Sequence, residues 1–119
     1  MTTYYDLETE EFMSDETYNG WKNYPTWAVA LWIDNERDTY EKSRGVARNI
    51  RAIAPQDENV ASGIWTVEET AKYRLADFLK LWVTDDLAPD LGASFAADLL
   101  GYALDEVDWV EIAESFLSE

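Results

Sequence analysis

Twenty-five carboxylates face nine Lys and Arg in this 119-residue chain, a formal net charge of −16, and that imbalance restricts its possible folds more than any other feature. Like charges repel in a compact state, so the acids must lie on solvated faces while an apolar core supplies the cohesion. The acids are also grouped along the chain. Residues 1–21 hold six acids and no base, and residues 22–56 hold six bases against four acids. Residues 57–83 hold three bases against five acids, and residues 84–119 hold ten acids and no base. Adaptation to high salt would spread acidity over the whole surface. The grouping favours a localised acidic interaction face, with salt adaptation as the alternative.

The means to build a core are present. Six Trp, seven Tyr and four Phe are distributed through one domain's length of chain, and each ring can bury on the order of 150–250 Å². A chain of this size needs no metal or disulfide staple, and with no Cys it has no disulfide to use. From Met1 to Asp15 there is neither a basic n-region nor an apolar h-region of a signal peptide. No apolar run approaches the roughly 20 residues of a membrane span. The expectation is a cytoplasmic protein with no membrane partner.

Periodicity predicts an all-α fold: a compact bundle of four or five helices over residues 19–119, preceded by a disordered or loosely attached acidic tail over residues 1–18. Tyr4, Tyr5, Phe12 and Met13 interrupt the tail and leave open an arm that orders against the body or a partner. From Tyr24, Pro25 suits a first helical turn, and the run from Thr26 to Ile33 is apolar all round, which predicts a central helix buried on more than one side. A second helix is expected from about Asp38 to Ile53, with Val46, Ala47, Ile50 and Ile53 on one side and Arg44, Arg48 and Arg51 on the other. Residues 55–63 read as a loop. Thr66 and Glu69 form a capping box that opens a helix with Ala71, Leu75, Phe78, Leu79 and Trp82 on one face. After a break marked by Asp85, Asp86, Pro89 and Gly92, Phe95, Ala96, Leu99, Leu100, Ala103, Leu104 and Val107 form the next apolar stripe. Asp108 caps a last helix, with Glu111 completing a box-like pair and Trp109, Ile112, Ala113, Phe116 and Leu117 facing inward.

Chemistry is narrowed by what is missing. There is no His, the commonest general base and metal ligand, and without Cys the nucleophilic and thiolate options go as well. The five glycines stand apart at 20, 45, 63, 92 and 101, so no phosphate-cradling loop exists. A carboxylate pair such as Asp105 and Asp108 needs a sugar cleft to act as a glycosidase. To hold calcium it needs a central glycine that the stretch lacks. The sequence therefore predicts a non-enzymatic protein with no cofactor and no metal. Arg44, Arg48 and Arg51, with Lys42 nearby, form a basic stripe, but the field of a −16 protein repels a polyanion. The stripe is expected to pair with the acidic C-terminal half or to face solvent, and no direct nucleic-acid partner is expected.

The C-terminal acids are the candidate partner-binding residues: Asp98, Asp105, Glu106, Asp108, Glu111 and Glu114, with Asp85, Asp86 and Asp90 as a second cluster. Helical rise sets such carboxylates roughly 5–10 Å apart. That is comparable with the roughly 7 Å between phosphates of one strand, once its winding is added to its rise of about 3.4 Å per nucleotide. A row of this kind fits a basic channel built for nucleic acid, although a solvated face on an acidic bundle has the same spacing. Aromatics at this density are usually core. Trp21, beside Asn19, Gly20 and Lys22, is the tryptophan expected to be exposed as an interface anchor.

Two segments carry a resemblance. Tyr18-Asn19-Gly20-Trp21-Lys22-Asn23-Tyr24-Pro25-Thr26-Trp27, continuing through Ala28-Val29-Ala30-Leu31-Trp32-Ile33-Asp34-Asn35-Glu36, resembles the opening of a family of small uncharacterised proteins carried by phages, plasmids and other mobile elements. Ala96-Ala97-Asp98-Leu99-Leu100 and the run from Ala103 to Ala113 are similar to that family's closing pattern. The family brings no catalytic residues; the resemblance implies a mobile-element setting. Small acidic proteins from that setting resemble, as a class, anti-restriction and anti-CRISPR inhibitors that imitate nucleic acid. The resulting expectation is an inhibitor of a host defence complex, its partner a protein with a basic nucleic-acid-binding surface. The alternative is a structural or regulatory interaction protein that binds through an aromatic surface, with a homodimer as one form of it.

Overall fold

The computed structural model describes residues 17–119. Over these the chain forms α1 (Tyr24–Asn35), α2 (Arg37–Ile53), α3 (Glu58–Ala61), α4 (Val67–Leu81), α5 (Phe95–Asp105) and α6 (Trp109–Leu117). α3 is a single turn inside the expected loop, and the other five are the helices that periodicity predicts. Among the described residues the one extended pairing is an isolated bridge between Tyr18 and Trp21. The fold is all-α. Residues 1–16 of the expected tail lie outside the described residues, whereas Tyr18 belongs to the body. It exchanges two backbone hydrogen bonds with Trp21, at 2.6 and 2.8 Å, and its ring meets those of Tyr24 and Trp27. Asn19 and Gly20 make the turn between them with positive φ values of 50° and 88°, a region that Gly and Asn reach at the least steric cost.

Helix starts follow local hydrogen-bonding chemistry. The Asn23 carboxamide oxygen accepts the Thr26 N–H at 3.0 Å. Thr66 Oγ1 accepts the Glu69 N–H at 3.0 Å while Glu69 Oε1 accepts the Thr66 N–H at 2.9 Å, the expected reciprocal box. Asp108 caps α6 by accepting the Glu111 N–H at 3.0 Å. There the box stays open: the Asp108 N–H donates to Thr26 Oγ1 at 2.9 Å, and the Glu111 carboxylate accepts the Lys22 N–H at 2.9 Å. Tertiary partners have taken both halves that a local box would have used.

The centre is α4 against α6, with α2 packed on both and α1 on α2 at the edge. Leu75, Leu79 and Ile112 are fully buried there, with Ala71, Ala113 and Phe116 around them. Truncating such a side chain costs roughly 2–5 kcal/mol. The α4 face predicted from periodicity is the face observed. α1 differs. It buries Thr26, Ala30 and Ile33 but leaves Trp32 64% exposed, because α4 and α6 already fill the centre and a peripheral helix has one inward face. On α2, Ala47 is buried and Val46 and Ile50 pack against the core, while Ile53 at its end is 53% exposed.

Candidate interaction surface

Residues 84–106 form the most exposed part of the bundle. α4 does not end cleanly: its last turn widens over Trp82–Leu87 into π-helical geometry, with the Ala88 N–H donating to the Val83 carbonyl at 2.8 Å. Trp82 and Val83 are buried and hold the inner side, so Thr84, Asp85, Asp86 and Leu87 are carried outward and exposed. Ala88, ahead of Pro89, is extended at φ −72° and ψ 141°, as a residue preceding proline prefers. The chain then turns at Gly92, whose φ is +64° and whose N–H is accepted by Asp90 Oδ1 at 3.0 Å. Ser94 Oγ accepts the Ala97 N–H at 3.0 Å and starts α5.

α5 has no buried residue. Its expected inward stripe is split by the structure. Leu100, Ala103 and Leu104 are half-buried, and Val107, just past the helix, is buried. Phe95, Leu99 and Tyr102 are 80%, 55% and 69% exposed. At about 100° per residue these three form one outward stripe, with Asp98 and Asp105 along one edge. A helix lying on the surface can bury one face, and α5 is apolar over more than one. Exposed apolar groups on this scale mark interaction surfaces in soluble proteins.

The candidate acids divide into two groups. Asp85, Asp86, Asp90, Asp98, Asp105 and Glu106 are all exposed. Asp98 and Asp105 edge the outward stripe and Glu106 follows it, whereas Asp85 and Asp90 line a recess with Ala97, Leu100 and Leu104 on the other side of α5. The Glu106 backbone carbonyl is engaged by Asn23 Nδ2 at 2.7 Å. The proposed row on α6 has internal work. Asp108 is a helix cap, Glu111 ties down the Lys22 amide, and Glu114 lies 3.4 Å from Lys72 Nζ. Trp21, expected as an exposed anchor, is half-buried and packs against the core; Trp32 is the exposed tryptophan. Local sequence points the other way, since Trp21 stands beside Asn19, Gly20, Lys22 and Asn23 while Trp32 lies in an apolar run; packing alone decides which of the two is covered.

The basic stripe on α2 is partly internal. Arg44 is 8% exposed. Its guanidinium binds Asp34 at 2.9 Å and both carboxylate oxygens of Glu119 at 2.5 and 3.0 Å, and it lies 3.6 Å from the centroid of the Phe116 ring. Burial works against its charge, but the hydrogen bonds to Glu119 and Asp34 outweigh burial and hold its pKa above the ordinary value. The same hydrogen bond holds the Glu119 carboxyl below its usual range. Arg51 donates to the Leu117 carbonyl, and Arg48 is exposed. The other strong pair joins Arg74 to Asp57 at 3.0 Å and lowers the Asp57 pKa, chiefly through that hydrogen bond. Among the described residues no group of three or more Asp, Glu, His or Cys is arranged to hold a metal ion, and no helix is long and apolar enough to cross a membrane.

Fold and surface together define a small all-α chain whose described residues present an exposed, acid-bordered apolar helix. The chain belongs to a family of unknown function (DUF7249), matched over residues 14–114. No curated protein and no solved structure matches it. The matched span contains both resemblance segments, and these meet in space: Lys22, Asn23 and Thr26 of the first hydrogen-bond to Glu111, Glu106 and Asp108 of the second.

Proposed function

We propose that this chain is a non-enzymatic acidic interaction protein of a mobile element. In this reading it acts in the cytoplasm and inhibits a host nucleic-acid-handling defence complex, of the anti-restriction or anti-CRISPR kind, by occupying its basic nucleic-acid-binding surface. The observation that carries the reading is the segment 84–106, where six candidate carboxylates are exposed and no base accompanies them. Asp98 and Asp105 lie seven residues apart, about 10 Å along one helix, and Asp85, Asp86 and Asp90 extend the acidic surface beyond its start. Such a surface steers a basic partner into encounter and weakens as salt rises.

The test is capture from a host lysate with the whole chain as bait, followed by an activity assay of the captured complex. A nuclease or guide-dependent complex should be retained at about 50 mM salt, lost at about 500 mM and inhibited by the chain, since screening shortens from about 14 to about 4 Å. Reversing Asp98, Asp105 and Glu106 to Lys should abolish capture. Retention that ignores both salt and charge reversal would defeat this reading.

The outward stripe Phe95, Leu99 and Tyr102 favours a second reading, an interaction protein, homodimeric or not, that uses an apolar surface. In that case Phe95→Ala and Tyr102→Ala weaken binding more than the charge reversals do.

A further inference from the structure

The inner side of α5 does not close onto the body. Leu100 and Leu104 of α5, Val29 and Trp32 of α1, and Leu87 bound a groove of about 410 Å³. Of the residues lining it, Glu36 and Thr39 alone are polar. Trp32 is one lip, with its ring largely in solvent. At Ala88, Pro89, Leu100 and Leu104 the groove runs into a second recess of about 430 Å³. That recess contains Asp85 and Asp90. The two recesses together present three carboxylates and no Lys or Arg.

We propose that this two-part groove binds an amphipathic, lysine- or arginine-bearing segment of a partner protein. Its apolar side chains enter between Trp32 and Leu104, and its cations lie against Asp85 and Asp90. The groove supplies apolar walls for anchoring and a polar end for orientation, the division of labour found where amphipathic helices dock in grooves. Charge chooses the occupant. A second copy brings a net charge of −16, and the chain's own residues 1–16 bring six acids and no base; both approach against the field of Asp85 and Asp90. A neutral apolar molecule would cover the carboxylates without replacing the water they lose. A basic amphipathic segment satisfies both parts at once. The proposal rests on the reading of the chain as a binding protein, but it uses the face of α5 opposite to Phe95, Leu99 and Tyr102.

The test is a titration of the isotope-labelled whole chain with a synthetic helical peptide carrying leucines on one face and lysines beside them. Amide resonances of α1, of residues 82–90 and of the inner face of α5 should shift, and Trp32 fluorescence should change. Trp32→Ala should weaken the affinity at least about tenfold. The pair Asp85→Asn and Asp90→Asn, which keeps an oxygen for the Gly92 N–H, should weaken it at least about fivefold. Because Trp32, Asp85 and Asp90 are exposed, these variants keep the core, and thermal melts verify that they fold. A glutamate version of the peptide should not bind. Equal binding of lysine and glutamate peptides overturns the proposal, as does a shift confined to Phe95, Leu99 and Tyr102. Self-association of the free chain that Trp32→Ala abolishes also overturns it, since a second copy is then the occupant. Peptide binding that persists where the charge reversals leave lysate capture unchanged would defeat the nucleic-acid-surface reading and leave the groove standing.

Discussion

Thr26 and Thr70 are both fully buried, and their hydroxyls have opposite consequences. Thr26 Oγ1 donates to Asn23 Oδ1 at 2.6 Å and accepts the Asp108 N–H at 2.9 Å, so one hydroxyl joins the start of α1 to the start of α6. Thr70 Oγ1 has no hydrogen-bond partner. Removing one member of a buried hydrogen bond leaves the other unsatisfied and costs about 1–3 kcal/mol, whereas removing an unpartnered hydroxyl recovers its desolvation cost. Thr26→Val should therefore destabilise the chain by about 1–3 kcal/mol. Thr70→Val should be neutral or stabilise by up to about 1 kcal/mol, with chemical denaturation as the measurement. Equal destabilisation by both would mean that shape rather than hydrogen bonding governs the two positions. Neither role is visible in the sequence, where both threonines stand in helical runs.

The helices differ in how they are held. α4 and α6 carry fully buried leucine and isoleucine side chains, and α5 carries no buried residue. α5 is secured mainly near its ends, by the Ser94 cap before it and by the Glu106 carbonyl and buried Val107 after it. Local opening takes less free energy where fewer apolar contacts must be given up. Backbone amides in the middle of α5 should exchange with solvent deuterons at least about tenfold faster than those of α4 and α6, read by hydrogen-exchange mass spectrometry. Equal protection would mean that α5 opens only with the whole fold, and a surface adaptable to a partner would lose its physical basis.

Across the molecule, a net charge of −16 makes self-repulsion a cost of compactness, while exposed ion pairs contribute little. Raising salt at pH 7 from about 20 to about 500 mM should therefore raise the melting temperature by several degrees, as screening shortens below about 5 Å. A fall would show that the pairs around Arg44 outweigh the repulsion. Acid acts on those pairs with a definite sign. Glu119 and Asp57 are held below their ordinary values by Arg44 and Arg74. The stability they add is present above those ordinary values and disappears as pH falls through the depressed ones. Melts recorded from pH 7 to pH 3 should show relief of repulsion first, then a loss below about pH 4.

Information within one helical turn was readable from residue order. The Thr66–Glu69 box, the Asp108 cap and the face of α4 depend on spacings of three and four residues, and each was predicted and observed. The acidic block over residues 84–119 is a property of composition and needs no fold. Tertiary structure decided which apolar faces stay uncovered. Once α4 and α6 occupy the centre, α1 keeps Trp32 outside and α5 leaves Phe95, Leu99 and Tyr102 in solvent, although their sequences look as apolar as the buried helices. It also decided which charges remain free. Arg44 meets Glu119 across 75 residues of chain, and Glu111 meets Lys22 across 89. Residue order left the arginine stripe either paired or solvated and read Glu111 as a local box partner and binding acid, and the fold made long-range ties of both. Burial and long-range pairing depend on the surface that remains after the strongest elements pack, and no single helix encodes that remainder.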